Sequence, residues 1–184
     1  IVIEKGTPKV KKKIKGSVFS LLTGGGGNAN YWHWLFDVLP RLKIIENQIN
    51  QEDIDYFLFP DLSERFQKES LESLNISKKK LISSKEFRHI DTDLAITVDH
   101  PYVIKNQPTQ EIQNIPIWIL NDLREKFLTK KSFIKLPSKI YIDRSDSKSN
   151  HSHLRKIINE KEIKDSLRKK GFSIICLSDF SFLD

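Results

Sequence analysis

The sequence predicts an α/β fold with a largely parallel sheet. Three observations carry that expectation. Short apolar runs alternate along the chain with longer segments of helical periodicity. The run Ile54 to Phe59 is continuously apolar and ends at Pro60, as a strand buried on both faces would be. The composition, 38% hydrophobic and 30% charged over 184 residues, belongs to a globular chain rather than a disordered one.

The elements follow in order. Ser17 to Thr23 is a short apolar run bounded by glycine and reads as a strand. Tyr31 to Gln48 reads as a helix, because Tyr31, Trp34, Leu35, Val38, Leu42, Ile45 and Ile49 recur at three-and-four spacing. Asn30 caps its start. Pro40 lacks the backbone donor to Phe36, so a kink near Phe36 is expected. A strand over Ile54 to Phe59 and a helix over Leu62 to Leu74 come next, then strands over Phe87 to Ile90 and Leu94 to Val98. Asp99 to Asn114 contains Pro101 and Pro108 and reads as an extended loop. Ile115 to Leu128 is a helix with Pro116 in its first turn. Lys139 to Asp143 is a strand. Asn159 to Lys170 is a helix closed by Gly171, and Phe172 to Leu177 is a strand. Lys130 to Ser138, holding Pro137, is the best linker. The expected division is 1–130 as a first domain, 131–138 as linker and 139–184 as the start of a second.

The net charge is +7, with an excess at Lys9, Lys11, Lys12, Lys13 and Lys15. It suits anionic partners or a solvated basic surface. The single cysteine, Cys176, excludes a disulfide framework and a cysteine-based zinc site, and its apolar run predicts a buried thiol. No apolar stretch reaches the roughly 20 residues of a membrane span. The chain contains no methionine and begins Ile1-Val2-Ile3. It is therefore expected to be an internal piece of a longer protein.

The chemistry concentrates after the run Gly24-Gly25-Gly26-Gly27. His33, Asp37 and Arg41 stand at four-residue intervals. Each step turns a helix by only about 40° from the previous side chain, so the three share one face. Asp37 would orient the His33 imidazole and raise its basicity, as a general base for a hydroxyl requires. Arg41 would pair with Asp37 or with a substrate phosphate. Trp32 and Trp34 offer flat apolar faces to a sugar or base. The alternative is a helix-stabilising pair with core tryptophans. Gly24-x-Gly26-x-x-Ala29 also approximates a dinucleotide fingerprint, but the next strand ends at Phe59, too far along to supply its acidic partner. Asp53-Ile54-Asp55 and Asp91-Thr92-Asp93 are spaced to hold a divalent metal, but loop chemistry or turn formation is the better reading. His151-x-His153 lacks a third ligand. Tyr141-Ile142-Asp143-Arg144-Ser145, followed by Arg155, Lys156 and a helix beginning near Asn159, would bring cations to a helix start, a diphosphate-binding arrangement.

Two blocks together resemble the family 61 glycosyltransferases, which include capsular polysaccharide biosynthesis proteins. The first is Asn30-Tyr31-x-His33-Trp34-Leu35-x-Asp37-Val38-Leu39-Pro40-Arg41-Leu42. The second is Tyr141-Ile142-x-Arg144-Ser145, then Arg155 with Asn159-Glu160 and Gly171-Phe172. The resemblance implies a Rossmann-like first domain of a GT-B-type two-domain enzyme plus the beginning of its donor-binding domain. It implies inverting transfer from a nucleotide sugar, commonly a UDP-sugar, to a saccharide or glycolipid hydroxyl in surface polysaccharide synthesis. By the same resemblance, His33 and Asp37 are catalytic, and Asn30, Trp32 and Arg41 lie on the acceptor side. Arg144, Arg155 and Asn159 would contact donor phosphates. No metal, tightly bound cofactor or nucleic acid is implied. A cytoplasmic location, with peripheral contact at the bacterial inner membrane, or a secretory lumen in a eukaryote, is expected. The loop from Ser145 to Leu154 is longer than the family's usual spacing. The family's glycine-rich donor segment would fall beyond Asp184, so this piece alone is expected to be inactive. The competing classes are a non-catalytic saccharide- or anion-binding module and a nicotinamide-dependent oxidoreductase.

Overall fold

The computed structural model describes residues 10–23, 29–102, 114–128, 137–146 and 157–184. The chain forms two units, Ile1–Thr129 and Lys130–Asp184. In the first, β1 (Lys12–Ser20), β2 (Tyr56–Phe59), β3 (Leu81–Ser83) and β4 (Ile90–Ile96) make a four-stranded sheet in the order β3-β2-β1-β4. Every pairing is parallel. This is the strand order of one half of a doubly wound sheet. The winding reverses between β1 and β4, and ligands of such sheets bind outside the carboxyl ends of the strands at that point.

The continuous apolar runs are explained by burial. Phe19, Phe57 and Phe59 are fully buried, and Trp34 from the following helix joins them. The Trp34 ring lies 5.7 Å from Phe59 and 6.4 Å from Phe66 between centroids. Each such side chain removed from water contributes about 1.5–3 kcal/mol, and this aromatic layer holds the helix against the sheet.

That helix runs as α1 (Tyr31–His33), a π-helical turn (Trp34–Val38) and α2 (Leu39–Glu46). Pro40 sits at the start of α2 and has no N–H to return to Phe36. The expected kink takes the form of one widened turn, in which the Leu39 N–H reaches back five residues to the Trp34 carbonyl.

β1 starts earlier than the apolar pattern suggests. Its lysine-rich half pairs only with β4, through Lys12, Lys13 and Ile14, while β2 pairs from Val18 onward. One edge of that half is therefore not covered by β2, and Lys12, Lys13 and Lys15 are exposed. β4 also differs from expectation. Asp91-Thr92-Asp93 lies inside the strand, residues 87–89 precede it outside any strand after a turn at 84–86, and β3 is an additional short edge strand.

A bulge in β1 explains the placement of both Asp-x-Asp motifs. Three steps in β1, from Ile14 to Ser17, match two in β4, from Thr92 to Leu94, so β1 carries one extra residue. Gly16 adopts φ +102 there, a backbone region that suits glycine. The Gly16 N–H donates to Asp93 Oδ2 at 2.7 Å, and Thr92 Oγ1 donates to the Gly16 carbonyl at 2.6 Å. From the other side, Asp55 Oδ2 accepts from the Ser17 N–H at 2.7 Å and from Ser17 Oγ at 3.0 Å. These bonds hold the Asp55 carboxyl below the ordinary carboxylate range.

α3 (Arg65–Ser73) begins with a capping box between Glu64 and Gln67. α4 (Ile117–Leu123) continues into a second π-helical turn (Arg124–Leu128), with Pro116 at its N-cap rather than in its first turn. Lys126 ties this helix to α2 through Glu46 at 2.7 Å.

In the second unit, β5 (Ile140–Asp143) pairs in parallel with β6 (Ser173–Cys176), and α5 (Glu160–Lys169) connects them. α5 ends as expected at Gly171, with φ +80. The Phe172 N–H returns to the Leu167 carbonyl and that of Gly171 to Arg168, both at 3.0 Å, which is a Schellman closure. Cys176 is half-buried rather than buried, because each strand of this pair is only partly covered.

Candidate active site

The helix that leaves β1 starts at Asn30, whose Oδ1 accepts from the Trp32 and His33 N–H groups at 3.0 and 3.3 Å. This side chain is engaged by the backbone and sets the direction in which the first turn points. The Trp32 indole is 38% exposed and packs on Phe36, with centroids 4.2 Å apart. Trp34 does not offer a face to a ligand. It is fully buried, and its Nε1–H donates to Ser70 Oγ at 2.9 Å. The helical stripe that contains it faces the sheet.

His33 and Asp37 meet as their spacing predicts. His33 Nδ1 lies 2.6 Å from Asp37 Oδ2. Asp37 is buried, whereas the His33 side chain is 35% exposed. A carboxylate only accepts, so Nδ1 carries a proton, and in the neutral ring Nε2 keeps its lone pair.

Two further residues converge on Asp37 from the chain beyond β4. The Tyr102 hydroxyl donates to Asp37 Oδ1 at 2.7 Å. Burial, and then this bond, raise the Tyr102 hydroxyl well above its ordinary value, so it is a donor throughout neutral pH. His100 Nε2 stands 3.7 Å from the same oxygen, and its Nδ1 lies 2.8 Å from the Tyr102 carbonyl. Both residues fall in the segment expected as an extended loop, and neither stands out as a site residue in the sequence. The available signal was a His-Pro-Tyr step just after a strand, and it acquires meaning only once β4 is known to lie beside β1.

Arg41 keeps its place on the helix but turns inward. It is buried, and its Nε donates to the Asp37 carbonyl at 3.1 Å and its Nη1 to the Val98 carbonyl at 3.4 Å. Burial lowers the guanidinium below its ordinary value, and Asp37 and Asp99 partly oppose that shift. Its contacts join the helix to the loop after β4.

On the second unit, Arg144 is exposed directly after β5. The neighbouring Asp143 accepts from Lys164 at 2.7 Å and from the Ser145 N–H at 2.9 Å, bonds that hold its carboxyl low. Asn159 occupies the N-cap position of α5 without a side-chain cap bond. Arg155, His151, His153 and Gly24 to Gly27 lie outside the described residues, as does most of the 131–138 linker. Among the described residues, no cluster of three or more histidine, cysteine or acidic side chains could hold a metal ion. No helix among them is long and apolar enough to cross a membrane.

A buried carboxylate orienting a half-exposed imidazole at the reversal point of a parallel sheet suits proton abstraction from a bound hydroxyl. The glycosyltransferase 61 family model matches residues 31–184. The chain belongs to the glycosyltransferase 61 family. Comparison with curated proteins and with solved structures gives no match. Family membership assigns this glycosyltransferase domain to glycosyl transfer in general, with a sugar donor and an acceptor as substrates. The match begins at Tyr31, the first residue of the helix that carries His33 and Asp37, and runs through both units.

Proposed function

We propose that the chain belongs to an inverting glycosyltransferase in which His33 is the general base and the second unit contributes to donor binding. The observation that carries the reading is the occupation of both Asp37 oxygens, one by His33 and one by Tyr102. A buried carboxylate so engaged is poorly placed to take a proton itself, whereas His33 Nε2 is free of it. His33 Nε2 removes the proton from an acceptor hydroxyl, and the acceptor oxygen forms a bond to the anomeric carbon. The bond from that carbon to the donor diphosphate breaks on the opposite face, and the nucleoside diphosphate leaves with the electron pair. One base suffices for this single displacement.

Trp32, resting on Phe36, supplies an apolar face for the acceptor ring beside His33, with Asn30 fixing the turn that presents it. Arg41 acts through the Asp37 carbonyl and the loop after β4. On the second unit, Arg144, Arg155 and Asn159 are the proposed contacts for the donor phosphates, where cations offset the charge that develops on departure. The donor is a nucleotide sugar, commonly a UDP-sugar, and no metal or tightly bound cofactor is required. Synthesis of a surface polysaccharide such as a capsule, at a membrane-peripheral cytoplasmic location, follows from the family resemblance.

The test is a donor-hydrolysis and transfer screen of the complete protein across nucleotide sugars, with His33→Ala in parallel. We expect turnover of one donor class, a strong loss in His33→Ala with donor affinity nearly unchanged, and partial recovery with added imidazole. Saccharide binding without turnover would instead support a binding module. Wild-type turnover in His33→Ala would remove the base from this helix.

A further inference from the structure

We propose that Tyr102 is a positioning residue that reserves one Asp37 oxygen so that the other stays on His33. The inference rests on the reading of His33 as base and adds a control that the helix alone does not supply. Two imidazoles flank one buried carboxylate. His33 holds Oδ2 at 2.6 Å, and His100 Nε2 stands 3.7 Å from Oδ1. A carbonyl only accepts, so His100 Nδ1 carries its proton toward Tyr102, and in the neutral ring its Nε2 has none to offer Oδ1. The donor that occupies Oδ1 is the Tyr102 hydroxyl, at 2.7 Å. A carboxylate bonded at both oxygens is fixed in rotation about its terminal torsion, which is otherwise broad.

The loop is itself held in register with the helix. Arg41 bonds the Val98 carbonyl at one end of the segment, and Tyr102 is buried at the other, with its ring 4.5 Å from that of His100 in an edge-to-face contact. His100 Nδ1 donates to the Tyr102 carbonyl, so the two residues move as one piece. Without the hydroxyl, Oδ1 loses its donor, the carboxylate is free to turn, and His33 loses the fixed acceptor that keeps its proton on Nδ1. Its tautomers then exchange, and Nε2 no longer presents a lone pair all the time. Tyr102 reaches the substrate only through Asp37 and His33.

The experiment reads the His33 tautomer by nitrogen NMR of histidine-labelled chain, together with steady-state kinetics of the complete protein. In the wild type, His33 is expected as the Nδ1–H form. In Tyr102→Phe the Nε2–H form appears, and kcat falls about tenfold or more, as for a small misplacement of a catalytic group, with donor KM unchanged. An unchanged tautomer in Tyr102→Phe overturns the proposal. A changed tautomer with wild-type turnover upholds the positioning and removes His33 as base. A fluorine label beside the Tyr102 hydroxyl tests the same bond in the intact fold. Its resonance must move on His33→Gln, which reaches Tyr102 through Asp37, and an unmoved resonance also overturns the proposal.

Discussion

Replacing Asp37 with asparagine changes one atom's chemistry and almost no volume. The native carboxylate offers an acceptor to both the His33 Nδ1–H and the Tyr102 hydroxyl, whereas an amide offers one acceptor and one donor. One of the two partners must then face an NH2 group. If that partner is His33, its proton moves to Nε2 and the base is lost. If it is Tyr102, the hydroxyl rotates, His33 keeps its tautomer, and the imidazolium formed during transfer still loses its counter-charge. Two unit charges about 4 Å apart near a protein surface interact by roughly 4 kcal/mol, and the exposure of His33 reduces that to about 3 kcal/mol. The expected loss in kcat is about 100-fold to 1,000-fold, with donor KM held within about threefold because no donor contact changes. The assay is release of nucleoside diphosphate by the complete enzyme, with urea unfolding as control for the roughly 1–2 kcal/mol that a mismatched buried hydrogen bond costs. Retention of more than about a fifth of wild-type kcat by a folded variant would refute the reasoning, since neither arrangement of the amide preserves the charge.

Gly16→Ala should destabilise the first unit by about 2–4 kcal/mol. Its Cβ would stand 2.3 Å from Asp55 Oδ2 at a φ of +102, adding backbone strain to the loss of the Ser17 bonds; the midpoint of denaturant unfolding measures it. Arg144→Ala should weaken nucleotide binding about tenfold with little effect on stability, because the side chain is exposed, and unchanged calorimetric affinity would remove it from the donor site. Asp143 is held below its ordinary value of 3.8 and Lys164 above its ordinary 10.5, each chiefly by the bond between them. The pair's contribution to the second unit is therefore present between those values, lost on the acid side as pH falls through the lowered Asp143 value, and lost on the alkaline side as pH rises through the raised Lys164 value. Lys164→Met should flatten both edges of stability against pH for that unit, followed by circular dichroism.

Much of this was legible because it is local. The spacing of His33 and Asp37 dictates their contact on any helix. Pro40 announces a disturbed turn, Gly171 a helix end, and the apolar run at Phe57 to Phe59 a strand covered on both faces. What the sequence obscured is non-local. The step His100-Pro101-Tyr102 does not by itself tell that Tyr102 will meet a carboxylate 65 residues earlier, because that meeting depends on which strands are neighbours. Trp34 looked like a binding surface because an exposed and a buried indole read alike until the sheet is in place. The Asp-x-Asp pairs left a metal reading open beside the turn reading because a carboxylate that bonds backbone N–H groups leaves no different mark in sequence from one that binds a cation.

The bulge in β1 has a consequence for the distant end of the sheet. Residues along a strand advance about 3.3 Å each, and a slip of one residue also turns every side chain to the opposite face. The Gly16 bonds to Thr92 and Asp93 are specific to one alignment of β4 on β1, so they index the strand as a detent indexes a sliding rule. A slip of two residues would keep the faces correct but displace the loop beyond β4 by about 6.6 Å, more than twice the reach of the Tyr102 hydroxyl bond. The setting of the Asp37 carboxylate is thereby tied to the opposite half of the strand.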